Sequence, residues 1–260
     1  MKRQYADGTC FKVIKNNLSK DYLVLLHGLG LNLDVWIWQI PLLKSYNIIL
    51  YDLRGHGESD PTELKPSLQD FANQLNDLLG HLNQKEVTLI GFSLGAMIAR
   101  KFSILFPKKV KSLVLLNSPN KSSEKEKIEV ESRANLVKNK GADATVGAAL
   151  NRWFSDNFRK DNTQIMELTS HWIRSNDRNV YSKIYPLLYF GSIELSGNPC
   201  LTRALILTCD EDFANGPGAA HEISNDLPNS KVVILKKLRH MALVEDPKSV
   251  NDEITRFLDS

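Results

Sequence analysis

The stretch Val87-Thr-Leu-Ile-Gly-Phe-Ser93-Leu-Gly-Ala-Met-Ile-Ala99 constrains the fold more tightly than any other in the chain. Val87 to Ile90 is a short apolar run of the kind that forms a buried strand. Gly91-Phe92-Ser93-Leu94-Gly95 then matches the pattern G-x-S-x-G. Beyond it, apolar residues recur at Leu94, Met97, Ile98, Phe102 and Leu105, the spacing of one helix face. Strand, tight turn and helix therefore meet at one serine. A nucleophile lifted off a strand end sits in strained backbone, and its neighbours two residues away approach strand and helix too closely for a Cβ. A purely structural Gly-Ser turn would share the pentapeptide. The strand and helix on either side are what make Ser93 a candidate nucleophile.

The flanking sequence repeats the same alternation. Residues 1 to 17 alternate loosely around Asp7-Gly8, a hairpin signal that predicts one or two antiparallel edge strands. Tyr22 to Leu26 and Asn47 to Tyr51 are continuous apolar runs, the mark of strands covered on both faces. The first ends in His27-Gly28-Leu29-Gly30, with a helix predicted after Asn32 that buries Leu33, Trp36, Ile37 and Ile40. The second ends in Asp52-Leu-Arg-Gly-His-Gly-Glu-Ser59. Leu68, Phe71, Leu75, Leu78, Leu79 and Leu82 form a helix stripe behind Ser67, a natural N-cap. Ser112 to Leu116 is the next strand, followed by Asn117-Ser118-Pro119. Such a succession predicts a mostly parallel twisted sheet with helices on both faces.

Near residue 120 the character changes. Lys121 to Lys140 is dense in charge and helix formers, and no apolar strand returns until about residue 203. The intervening aromatic pieces, including Trp153, Phe154, Trp172, Tyr181, Tyr185 and Tyr189, read as short helices. The expected organisation is a core of residues 1–119 and 199–260 with a helical cap, or lid, at 120–198. Ordinary surface helices of the same layer are the alternative. The sheet resumes at Arg203 to Thr208, followed by Cys209-Asp210-Glu211-Asp212 and a helix over Gly218 to Leu227. Lys231 to Leu235 is the last strand, leading to Leu238-Arg239-His240-Met241. Val250, Ile254, Phe257 and Leu258 mark a closing helix.

Composition removes several function classes. Thirty-three basic against thirty acidic residues leave a net charge of +3, without the clustered cations of a nucleic-acid footprint. No run is long enough to span a membrane, and the N-terminus enters polar sequence directly. Cys10, Cys200 and Cys209 are odd in number and far apart, which suits reduced thiols in a cytoplasmic protein rather than a metal site.

Ligands of open parallel sheets bind beyond the carboxyl ends of the strands. Those ends here carry His27-Gly28-Leu29, Asp52, Ser93, Asn117, the acidic run Asp210 to Asp212, and His240. Serine needs a base within hydrogen-bond reach and a third group to fix the tautomer of that base. The acids at these ends are Asp52 and the run Asp210, Glu211 and Asp212, while Asn117 offers no carboxylate.

Taken together, His27-Gly28-Leu29-Gly30, Asp52 to Ser59, Gly91 to Gly95, the late acidic turn and His240 ahead of Met241-Ala-Leu-Val-Glu-Asp-Pro247 resemble an α/β-hydrolase over essentially the whole chain. Within that fold the chain is similar to the 3-oxoadipate enol-lactonase-like group, through Asn151-Arg152-Trp153-Phe154 and Tyr181 to Leu188. It departs from the group at Cys209, where Gly is usual, and over most of the cap. The resemblance implies a triad of Ser93 as nucleophile, Asp212 as the last residue of a Gly-x-x-Asp-type turn, and His240 as base. It implies an oxyanion hole from the backbone N–H groups of Leu29 and Leu94, and substrate contact at Arg152 and Trp153. His27 and His56 would be structural, while His81, His171 and His221 fall on predicted helices. Asp210 also reads as a turn former bonded to its own backbone, and Arg152 as a solvated helix residue.

The function implied is hydrolysis of a small ester or lactone through an acyl-serine, without metal or organic cofactor. A C–C bond hydrolase with the same triad and a hydrolase-fold receptor with vestigial turnover are the alternatives. The expected partner is a small molecule rather than nucleic acid or membrane, with a homodimer left open.

Overall fold

The computed structural model describes residues 2–16, 19–41 and 45–260; Met1 and Asn17, at the ends of the predicted N-terminal strand region, lie outside the described residues. The strands are β1 (Gln4–Ala6), β2 (Thr9–Ile14), β3 (Tyr22–Leu26), β4 (Asn47–Tyr51), β5 (Val87–Phe92), β6 (Val110–Leu116), β7 (Ala204–Cys209) and β8 (Ser230–Leu235). They form one sheet in the order β1-β2-β4-β3-β5-β6-β7-β8. Pairing is parallel from β4 through β8, and antiparallel where β2 meets β4 and β1. The N-terminal residues form two antiparallel strands, of which β1 lies at the sheet edge and β2 between β1 and β4. Asp7 and Gly8, at φ 47° and 73°, make the two-residue turn between them, as a right-twisted hairpin requires.

The helices are α1 (Leu68–His81), α2 (Leu94–Leu105), α3 (Glu124–Lys140), α4 (Val146–Trp153), α5 (Asp156–Asp161), α6 (Thr163–Arg174), α7 (Arg178–Ile184), α8 (Leu187–Leu195), α9 (Pro217–Asp226), α10 (Ala242–Glu245) and α11 (Pro247–Leu258). Ser67 caps α1 in a capping box with Asp70, and each side chain serves the other's backbone N–H. The run from α3 to α8 stands entirely between β6 and β7.

The apolar strands are continuous because both faces are covered. Val24, Leu26, Ile49 and Tyr51 pack with α1 and α2 on one side. Leu23, Leu25, Ile48 and Leu50 pack on the other with Leu33, Trp36, α10 and α11. Helix α2 is more deeply buried than a one-faced stripe predicts: every residue from Leu94 to Arg100 is buried, because α1 and α8 flank it as well as the sheet. Leu105, at its solvent end, is exposed instead of completing the stripe. The helix expected after Asn32 is a short 3-10 segment, Leu33–Trp38. Its tighter turn puts Val35 inside with Leu33 and Trp36, while Ile37 is 58% exposed and Ile40 half-buried.

Strand register gathers the site. Leu26 pairs with Gly91 and Phe92 with Leu116, so the loops after β3, β5 and β6 leave the sheet at one level. Ser93 N–H continues the ladder to Leu116 O at 2.8 Å, and Asn117 N–H to Leu207 O at 2.8 Å. Cys209 pairs with Leu235, which brings the loops after β7 and β8 alongside.

Candidate active site

Ser93 stands between the last residue of β5 and the first of α2 at φ 53°, ψ −118°. A non-glycine residue at positive φ is strained, and the strain holds the side chain off the sheet. The two glycines around it do what the sequence demanded. A Cβ on Gly95 would collide with the Leu26 carbonyl, and one on Gly91 with the backbone of Gly95. Gly28 comes up from β3 so closely that its Cβ would lie 3.2 Å from the Ser93 Cβ. The first loop is thereby pressed against the serine.

Leu94 opens α2, where a backbone N–H has no intrahelical acceptor and the helix dipole is positive. Leu29 follows Gly28, and both line the cavity that Ser93 faces. That cavity also takes in Asp212, His240, Arg152 and Trp153. Every site residue predicted from sequence thus borders one space or, for Leu94, adjoins the serine that does. The space is small, about 60 Å³.

His240 Nδ1 lies 2.7 Å from Asp212 Oδ2, and both side chains are buried. A carboxylate can only accept, so Nδ1 is the donor in this bond. Asp212 is firmly placed. Asn117 Nδ2 donates to its Oδ2 at 2.9 Å, and the N–H groups of Ala214 and Asn215 donate to Oδ1 at 3.2 and 3.1 Å. Burial by itself would raise this carboxyl. The charge and hydrogen bond of His240, with Asn117 and the Asn215 N–H, hold it below the usual carboxylate range.

Asn117, set aside in the sequence for lacking a carboxylate, is therefore a donor to the acid on the neighbouring strand. Nothing in its own segment signals that; the register of β6 against β7 creates it. Asp210 does not bond its own backbone as expected. It accepts from the Lys237 N–H at 2.7 Å and is not among the residues lining the cavity. Cys209 accommodates a side chain where glycine was anticipated because it faces inward and is fully buried, and burial pushes its thiol up to about 12. The close approach in this turn falls on Gly216 instead, whose Cβ would meet Asp212 O at 2.6 Å.

His27 and His56 are buried at the base of the first loop, rings 5.2 Å apart. His27 Nε2 accepts the Leu53 N–H at 3.0 Å while Nδ1 meets Gly28 O at 2.8 Å, so the ring splices the two loops together. His81, His171 and His221 are exposed on α1, α6 and α9.

Of the aromatics marked in the sequence, Trp153, Tyr181 and Tyr185 line the cavity. Phe154 stacks on Phe158 at 5.4 Å, and Trp172 packs edge-on to Trp38. Tyr189 reaches Ser122 O. Arg152 is half-buried and, among the described residues, makes no hydrogen bond or ion pair. Burial and the neighbouring Arg133 push its guanidinium down. Lys121 and Arg133 share the cavity wall. Both sit in the charged run Lys121 to Lys140, where sequence alone offered no means of separating inward from outward cations.

Residues 21–189 match the model of the alpha/beta hydrolase fold family. The chain is 26% identical over 245 residues to the (E)-2-((N-methylformamido)methylene)succinate hydrolase of Acinetobacter baylyi, covering 92% of this chain and 90% of that one. It is 24% identical over 233 residues to 3-oxoadipate enol-lactonase 2 of the same organism, covering 89% and 86%. The crystal structure of the enol-lactonase from Burkholderia xenovorans LB400 superposes over 100% of both chains with a TM-score of 0.89 at 18% identity. Among the described residues no helix is long and apolar enough to cross a membrane.

Proposed function

The chain belongs to the α/β-hydrolase fold family, and within it we propose a serine hydrolase that cleaves a small carboxylic ester or lactone through an acyl-serine. The observation that carries the reading is the strained Ser93 turn in one cavity with a His240 ring already bonded to buried Asp212.

In this reading Ser93 Oγ attacks the substrate carbonyl while His240 Nε2 takes the hydroxyl proton. Asp212 holds the ring and stabilises the imidazolium without taking its proton. The carbonyl oxygen becomes an oxyanion facing the N–H groups of Leu29 and Leu94. The C–O bond to the leaving group breaks as His240 returns the proton to that oxygen, giving acyl-Ser93 and an alcohol or enol. Water, deprotonated by the same nitrogen, then attacks the acyl carbon and releases the carboxylic acid and Ser93.

Residues 120–198 act as a cap over this chemistry, because α4 and α7 bring Arg152, Trp153 and Tyr181 over the cavity. A lid of this kind excludes water from the acyl intermediate. The half-buried guanidinium of Arg152, without a protein partner, suits a carboxylate on the substrate. The names of the two Acinetobacter relatives give them acidic substrates, a substituted succinate and the enol-lactone of 3-oxoadipate. Trp153, whose ring lies 6.3 Å from His240, forms the apolar wall. Three free, buried thiols suit a reducing, cytoplasmic setting.

The test is turnover of p-nitrophenyl acetate with a burst-phase measurement, followed by a panel of esters and enol-lactones with and without a free carboxylate. A burst matched to enzyme concentration and preference for the acidic compounds are expected. Absence of hydrolysis across the panel would remove the enzyme reading.

A further inference from the structure

Three cations, Lys121, Arg133 and Arg152, line the cavity of Ser93. The one carboxylate on the same lining, Asp212, is committed to His240, Asn117 and two backbone N–H groups. We propose that Lys121 and Arg133 form a second anion seat beside Arg152, so that the preferred substrate is a compact dianion carrying two carboxylates. This rests on the reading of the cavity as the substrate site.

The partners of the two cations are too weak to account for their placement. Lys121 is buried, and its Nζ meets the neutral carbonyl of Ala214 at 3.2 Å. Its nearest carboxylate, Glu126, stands at 3.8 Å. Glu126 turns Oε1 toward Lys121 in this long pair, while its Oε2 is held at the N-terminus of α3, accepting from the N–H groups of Ser122 and Ser123 and from the Ser123 hydroxyl. Arg133 has one long contact, 3.4 Å to Glu129 one helical turn back. Glu126 and Glu129 line a second cavity of about 310 Å³ that shares Lys121, Arg133, Arg152 and Ala214 with the first. Neither glutamate lines the cavity of Ser93.

The three cations also disfavour one another. Burial and then Arg133 push Arg152 down; burial pushes Lys121 down against the opposing pull of Glu126, with Arg133 adding to it. Gathering like charges in a partly desolvated wall costs free energy unless an anion completes the set. One carboxylate satisfies Arg152 alone. A second, on the α3 side, gives Lys121 and Arg133 a partner within the cavity. The reacting carbonyl then lies over Ser93 while the two acid groups are held by the cation wall.

Succinate and butyrate have the same number of carbons and differ in one carboxylate, so they isolate the second seat. Calorimetric titration of each into the wild-type protein in low-salt buffer is expected to give succinate the higher affinity by roughly tenfold or more. Arg133→Gln, at a half-buried position of α3, is expected to bring that ratio near parity, with Lys121→Met doing the same. Equal affinities in the wild type, or an equal loss for both acids in Arg133→Gln, overturns the second seat. If neither acid binds, the seat is also overturned, and burst-phase hydrolysis of p-nitrophenyl acetate then shows whether the hydrolase reading survives without it.

Discussion

The backbone N–H of Met241 donates to the carbonyl of Trp153 at 2.9 Å. One bond thus joins the residue after the candidate base to the end of the helix that carries Arg152. Arg239 reinforces it, with Nη1 donating to Asn151 O, Phe154 O and Asp156 Oδ1, each at 2.9 Å. The turn that presents His240 therefore also sets the height of Arg152 and Trp153 over Ser93. Arg239→Gln should release α4. A loss on the order of 2 kcal/mol, and a fall in Tm of roughly 4–8 °C, is expected from the broken charged hydrogen bonds. Calorimetry measures the first effect, and kcat/KM for an acidic ester should fall with it.

Ser93→Ala should lower kcat by roughly four to six orders of magnitude while leaving the fold intact, since a serine nucleophile acts as one unit with its base. A fluorophosphonate probe should label Ser93 in the wild type and nothing in the variant. Labelling of any other residue contradicts the assignment.

Asp212 rather than Asp210 should govern the base. Asp212→Asn replaces the acceptor of the His240 Nδ1 proton and is expected to cost on the order of ten-thousand-fold in kcat. Asp210→Asn disturbs the turn to Lys237 and a long ion pair with Lys236 at 3.7 Å, and should cost far less. The two variants assayed side by side decide between them, and the opposite ranking moves the acid by two residues.

These contrasts mark how far the sequence could be read. The elbow and the mostly parallel sheet were legible because each rests on a local pattern: glycines flanking one serine, and apolar runs of strand length; the choice of His240 as candidate base, like that of the acid, leaned on the family resemblance. The identity of the acid needed the family resemblance, since Asp210 and Asp212 differ only in which way the turn faces them. Asn117 as partner of Asp212 was out of reach, because strand register alone brings them together across 95 residues of chain. The same holds for Lys121 and Arg133, whose direction depends on how α3 packs on α7. Ile37 misled because the segment winds as a 3-10 helix, whose period of three differs from the period assumed.

Acid should destabilise the protein before its carboxylates titrate. Burial holds His27 down to about 4 from its usual 6.5, against the opposing pull of Gly28 O, and holds His56 down to about 3, with His27 adding to it. Between pH 6.5 and 4 the unfolded chain takes up protons at these rings and the native protein does not. Stability therefore falls as pH drops through that window, by about 1.4 kcal/mol per pH unit for each ring at its steepest. Asp212, held low, acts in the same direction further down: its contribution is present above the carboxylate range and lost as pH falls through it. Urea unfolding at a series of pH values should show the slope, and His27→Gln should reduce it by about half. An unchanged slope would place the proton uptake elsewhere.

Arg152 should act on the charge of the substrate and not on the chemistry at Ser93. Its guanidinium borders the cavity and, among the described residues, has no hydrogen-bond or ion-pair partner, so its removal leaves the Asp212–His240 pair untouched. A charge-assisted, bidentate contact to a carboxylate is worth roughly 1.5–3 kcal/mol, a factor of about ten to 150 in affinity. Arg152→Ala should accordingly raise KM for an acidic lactone by that factor, with kcat little changed, and leave KM for its neutral methyl ester near the wild-type value. Equal effects on both compounds would make Arg152 a structural residue of α4, and the acid preference would then have to come from Lys121 and Arg133 alone.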